Sequence, residues 1–188
     1  MRLGVLAVLA SLALLGVVYL TNLRPTSTPL PDLGLAPSFS LTDQHGQTFS
    51  TASLNGKTWV ANFFFTTCDG PCPVTMSAVA SIVRQFVNDD RIQFISITSD
   101  PTTDTPAKLA EYSAKFPAQH WTYLTGTSEQ ILKISTEGFK LGLTTDPNIH
   151  STRLVLVDRH SRIRGYYSAT DEAALAKLSA DLRGLTKE

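Results

Sequence analysis

Cys68 and Cys72, the only cysteines in the chain, stand four apart in Thr66-Thr67-Cys68-Asp69-Gly70-Pro71-Cys72-Pro73, directly after the apolar run Trp59-Val60-Ala61-Asn62-Phe63-Phe64-Phe65. A strand that delivers thiols to the start of a helix puts them where the helix dipole favours thiolate over thiol. Such thiolates can exchange disulfides, or converge on one soft metal ion such as Cu(I). The competing reading is a pair of core residues, because free cysteine is among the most buried residue types. The Gly/Pro loop around the pair and the N-terminal segment described below favour chemistry. Three residues intervene where thioredoxin-type redox pairs have two. That i, i+4 spacing stacks both side chains on one helical face and still permits a disulfide.

Two thiolates rarely complete a metal site, so a third donor is sought among the four histidines. His45 and His160 lie in polar turns, and His120 precedes Trp121 at a strand start, where a solvated ring is the plain expectation. His150 ends the run Gly142-Leu143-Thr144-Thr145-Asp146-Pro147-Asn148-Ile149, a long loop of turn-forming residues before a strand. Loops of that kind commonly carry sites. Spacing alone leaves His150 open between ligand and surface residue. Met76 belongs to an apolar helical stripe and reads as core rather than as a thioether ligand. Asp104 reads as a helix cap, an alternative to Thr105, and Asp100 with Pro101 as a turn that could sit near the site.

The elements that position these residues alternate strand and helix. Phe39 to Thr42 and Thr48 to Phe49 read as a hairpin turned at Gly46, and Thr58 to Phe65 as a buried central strand. Pro73 to Val87 repeats apolar residues at three- and four-residue steps, the mark of an amphipathic helix. A strand over Arg91 to Thr98 leads to a helix over Pro106 to Phe116, with Pro106 at the first helical position. Trp121 to Leu124 is then a strand and Ser128 to Phe139 a helix. Arg153 to Asp158 and Arg162 to Tyr167 form a second hairpin, and Asp171 to Leu182 a terminal helix. Alternation implies parallel pairs, the hairpins antiparallel ones, and the fold class is therefore an α/β, thioredoxin-like mixed sheet flanked by helices.

Leu3 to Leu20 is uncharged and would reach about 27 Å as a helix, enough for one membrane crossing. It reads as an uncleaved transmembrane anchor; the rival is a cleaved signal peptide, whose apolar region is usually shorter. The organisation is then an anchor over residues 1–24, a Pro/Thr-rich linker over 25–36 and one domain over 37–188, on the extracytoplasmic (periplasmic or cell-surface) side of a membrane. Hydrophobic content of 43% and charged content of 17% describe a globular chain, and a formal net charge of zero leaves no basic field for nucleic acid.

Several motifs in order resemble one family. Thr67-Cys68-Asp69-Gly70-Pro71-Cys72-Pro73 resembles the T-x-C-x-x-x-C-P motif of the Sco/SenC proteins, copper-handling assembly proteins of cytochrome c oxidase. Ser99-Asp100-Pro101 with Asp104-Thr105-Pro106 resembles that family's S-x-D-P-x-x-D-T-P segment, with Leu109 and Tyr112 fitting the helix behind it. Leu124-Thr125-Gly126 resembles its L-T-G segment. His150-Ser151 falls where the family has its histidine ligand, with Ile149 where the family often has aspartate, and Asp69 and Pro71 depart from its usual cysteine loop. The resemblance, over Pro37 to Tyr167, implies that Cys68, Cys72 and His150 hold one copper ion, Cu(I) or Cu(II). It also implies delivery to the copper-bearing subunit of the oxidase, or another copper or thiol protein, and a monomer or weak dimer. A thiol-disulfide oxidoreductase using only Cys68 and Cys72 is the alternative. A peroxide-reducing enzyme with Thr66, Thr67 or Arg153 around Cys68 ranks last.

Overall fold

A computed structural model describes residues 29–142 and 152–187. The apolar stretch up to Leu20, residues 25–28 of the linker and the loop carrying His150 lie outside the described residues. No helix among the described residues is long and apolar enough to cross a membrane.

Among these residues the strands are β1 (Ser40–Asp43), β2 (Thr48–Ser50), β3 (Thr58–Phe64), β4 (Ile92–Thr98), β5 (Trp121–Thr125), β6 (Arg153–Val157) and β7 (Ile163–Ser168). The helices are α1 (Cys72–Gln85), α2 (Pro106–Ser113), α3 (Ser128–Lys133) and α4 (Glu172–Leu185), with a 3-10 turn over Thr51–Leu54. One mixed sheet runs β2-β1-β5-β4-β3-β6-β7. β3, β4 and β5 are mutually parallel and central, while both hairpins add antiparallel strands at the edges. The architecture is the expected α/β one with helices on both faces.

Every residue of β3 is buried, as a continuous aromatic and β-branched run requires when both sheet faces are covered. Val60 and Phe64 pack on one face with Met76, Val79 and Val83 of α1 and Leu178 and Leu182 of α4. Trp59, Ala61 and Phe63 point to the other, against Leu41, Ile131, Ile134 and Phe139. Each cluster excludes water from one side of the strand that ends at the cysteine loop. On the α1 side of the sheet, within the first cluster, runs a buried polar chain. Trp121 Nε1 donates to Ser96 Oγ at 2.8 Å, Ser96 Oγ to Asn62 Oδ1 at 2.7 Å, and Asn62 Nδ2 to Met76 Sδ at 3.4 Å. It ties β5, β4, β3 and α1 together and engages the Met76 sulfur in the core.

Three expectations change. The helix expected to reach Phe116 stops at Ser113, because Phe116 precedes Pro117 and the proline ring disfavours helical backbone in the residue before it. The single helix expected over Ser128 to Phe139 widens after Lys133 into a π turn, Ile134–Gly138, in which the Phe139 N–H reaches Ile134 O. That turn brings Gly138 against Pro37, where a Cβ would stand 2.6 Å from the proline ring. Finally, the chain from Leu30 to Ala36, read from sequence as linker, lies along β7. Leu33 N–H donates to Ile163 O, Ile163 N–H to Gly34 O and Ala36 N–H to Ser161 O. Arg162 pairs with Asp32 at 2.7 Å, and Arg164 donates to Leu30 O. The segment thereby covers a sheet edge that would otherwise present unpaired backbone groups.

Candidate functional site

The two cysteines lie together at the C-terminal end of the parallel strands. β3 ends at Phe64, the loop carries Cys68, and Cys72 is the first residue of α1, behind Pro71 at the cap position with no side-chain cap. The pair is a dithiol rather than a disulfide, with Cys72 buried and Cys68 half-buried. Burial pushes the Cys72 thiol up from its ordinary 9.0 to about 12, and a hydrogen bond to Cys68 and the charges of Cys68 and Asp104 push the same way; a backbone hydrogen bond from Phe65 opposes them. The expectation that the helix start activates the pair is therefore corrected at Cys72, where desolvation outweighs the dipole. Cys68 is the sulfur that solvent and a partner can reach.

Asp104 is the residue that sequence reasoning misplaced. Thr105 caps α2, its side chain accepting from the Lys108 N–H. Asp104 is fully buried and faces the cysteine loop instead. Its carboxylate accepts from the Thr66 N–H at 3.0 Å, from the Thr66 hydroxyl, and from the Thr98 hydroxyl at 2.6 Å. It thus fastens the end of β3 to the end of β4 directly beneath the thiols. The motif Asp104-Thr105-Pro106 carried a signal, but two capping residues in succession conceal which one turns inward. Asp100 closes its own turn, accepting from the Thr103 N–H on its carboxylate and from the Asp104 N–H on its backbone. Thr66, weighed for peroxide chemistry, directs its hydroxyl to Asp104 rather than to Cys68.

Aromatic rings close the inner wall. Tyr112 of α2 sits 5.3 Å from Phe64 and 6.3 Å from Tyr123, centroid to centroid. Burial, reinforced by the charges of Cys72, Cys68 and Asp104, raises the Tyr112 hydroxyl to about 12. Its place beside the thiols follows from Leu109, three residues earlier, which points the same helical face inward.

The histidines separate as their contexts suggest. His120 precedes β5 and His160 lies between β6 and β7, both at the end of the sheet away from the cysteines, and His45 is in the β1–β2 turn three strands from β3. Among the described residues no cluster of three His, Cys, Asp or Glu side chains could hold a metal ion. His150 lies outside the described residues. β6, which follows it, pairs antiparallel to β3 with Ala61 opposite Val155, so Arg153 starts β6 at the end of the sheet that carries the cysteine loop.

A thioredoxin-like α/β domain presenting a dithiol at the start of a helix is what these elements define. A model of the SCO1/SenC family matches residues 28–186, and the chain belongs to that family. Solved structures agree. The chain is similar to a SCO1/SenC family lipoprotein from Bacillus anthracis, at 30% identity and a TM-score of 0.76, covering 82% of this chain and 97% of that one. It is also similar to Bradyrhizobium japonicum ScoI with copper bound, at 27% identity and a TM-score of 0.66, covering 81% and 99%. BsSco, a Sco-family cytochrome c oxidase assembly protein with a disulfide switch, shares the fold at 23% identity and a TM-score of 0.75, covering 85% and 98%.

Proposed function

We propose that this protein is a copper metallochaperone that holds one copper ion between Cys68, Cys72 and His150 and delivers it to the dinuclear copper centre of cytochrome c oxidase. The observation that carries the reading is the contact between Cys72 and Cys68 at the end of β3. Two sulfur donors side by side suit a soft ion, and binding would release their protons, because only thiolates ligate. The start of β6 supports a role for His150. Three residues span at most about 11 Å, which keeps His150 within reach of the end of the sheet where β3 delivers the thiols. An exchangeable cargo needs an accessible donor, and the half-buried Cys68 supplies it. A copper-bearing oxidase subunit, or another copper or thiol protein, is the partner in this reading. Tethering by the segment over residues 1–24, with the domain on the extracytoplasmic side as a monomer or weak dimer, belongs to the same proposal. The length of the uncharged stretch supports it.

Thiol-disulfide exchange is the second reading, favoured by one observation: an accessible Cys68 beside a buried Cys72 is the arrangement of an attacking and a resolving thiol. Anaerobic copper titration of the full reduced chain separates the two. One ion per chain, lost in Cys68→Ser, Cys72→Ser and His150→Ala, is the expected result. Failure to retain copper, or indifference to His150→Ala, would transfer the assignment to disulfide exchange.

A further inference from the structure

Between the last turns of α1 and the connection from α2 to β5 lies a groove of about 290 Å³. Val83, Val87, Phe116 and Trp121 line it together with Arg84 and Lys115, and no carboxylate is among the lining residues. Its floor is fixed, because the buried Trp121 packs its ring 5.7 Å from Phe116 and donates its indole N–H to Ser96 Oγ. Val87, just past the end of α1, is 45% exposed, so nothing in the domain covers the apolar surface at this edge. Lys115 is held with its ammonium 5.1 Å from the centre of the Tyr112 ring, and Arg84 takes part in none of the four ion pairs among the described residues. A second concavity shares Arg84 and Val87 and adds Arg91, Arg183 and Lys187 against Asp89 and Asp90, of which Asp89 already pairs with Arg91. On a chain whose formal charge is zero, cations are gathered at this pole. Helix dipoles account for Arg84 and Arg183, in the last turns of α1 and α4, but not for the uncovered apolar groove between Arg84 and Lys115.

We propose that this groove docks an acidic segment of a partner protein, one large apolar side chain entering it while flanking carboxylates meet Arg84 and Lys115. Exposed apolar surface rimmed by polar groups marks an interaction site, and the rim of cations selects an acidic partner and speeds its approach. A concave seat of this size suits a single peptide side chain. A bilayer would instead be met by apolar residues that protrude. A second copy of this chain in a two-fold contact would set Arg84 and Lys115 against their own counterparts, like charge against like. The cysteine loop lies at the opposite end of α1, a helix of 14 residues and so about 21 Å long at 1.5 Å per residue. A segment docked at the groove therefore holds its protein beside the domain without touching the thiols. None of this depends on what the cysteines hold.

The probe is a fluorescein-labelled peptide with one phenylalanine between paired glutamates, titrated by fluorescence anisotropy with the full reduced chain in uncharged detergent at low ionic strength. Two control peptides replace the glutamates by lysine or the phenylalanine by alanine. The acidic peptide should bind about tenfold or more tightly than either control, and its affinity should fall as salt is raised. Arg84→Glu and Val87→Asp, both at exposed positions, should each weaken it about tenfold while leaving the urea midpoint in place. Absence of saturable binding, equal affinity for the lysine peptide, or indifference to Arg84→Glu overturns the docking site. Two further results overturn it by naming another occupant. Binding to phosphatidylglycerol vesicles that Arg84→Glu abolishes, in a chain that ignores the peptide, would make this pole a membrane contact. Self-association in sedimentation that Val87→Asp abolishes would give the groove to a second copy of the chain.

Discussion

Asp104 and Cys72 are both buried at the cysteine loop. Replacing Asp104 by alanine strands the Thr66 N–H and the Thr98 hydroxyl in the interior. The expected destabilisation is about 3 kcal/mol, read from urea unfolding. Thr105→Ala, which removes only the cap of α2, should cost about 1 kcal/mol by the same measurement. Cys72 adds a pH dependence whose sign follows from its raised pKa. The fold holds the neutral thiol, so its contribution is whole below the ordinary value of 9.0 and is lost as pH rises towards about 12. Urea midpoints should fall through that window more steeply in the wild type than in Cys72→Ala, with Tyr112, raised from 10.0 to about 12, adding a residual slope to both.

Among the elements, β3 and α1 matter most, since between them they fix where the cysteine loop leaves the sheet. The Trp121–Ser96–Asn62–Met76 chain locks α1 over the sheet through a side chain that a purely apolar strand would not contain. Asn62→Ala removes the acceptor of the Ser96 hydroxyl and leaves a void under Met76. A loss of about 2 to 3 kcal/mol is expected, together with faster alkylation of Cys72 as the first turn of α1 loosens. Met76→Leu keeps the volume and gives up only a weak sulfur acceptor, so its expected effect is below about 1.5 kcal/mol. Comparable losses in the two variants would mean that packing, and not the polar chain, holds the helix.

At the level of the whole molecule, the segment from Leu30 to Ala36 joins the N-terminal region to the domain along β7, and the cysteine loop opens at the end of β3. The Asp32–Arg162 pair is largely exposed and contributes little. Backbone pairing and the packing of Leu30 on the core contribute more. A chain begun at Pro37 should lose about 2 kcal/mol in urea unfolding and, with the β7 edge uncovered, should self-associate in sedimentation experiments. A truncated chain that stays monomeric and equally stable would show the segment to be an ornament on the fold.

The order and type of the elements were legible in the sequence because local rules write them: the continuous apolar run of β3, three-and-four spacing in α1, Pro106 opening α2, turn residues around Gly46. The cysteine pair was equally legible, since its chemistry lies in residue type and spacing. Three features needed the tertiary structure. Asp104 meets Thr66 across 38 positions of chain, and only the parallel pairing of β3 with β4 brings them together. The Cys72 thiol moves up because several elements bury it, a desolvation that no neighbour in sequence announces. The segment before Pro37 becomes part of the domain because β7 leaves an edge to be covered. In each case the deciding term is burial by distant segments, which local sequence does not encode and only the assembled sheet supplies.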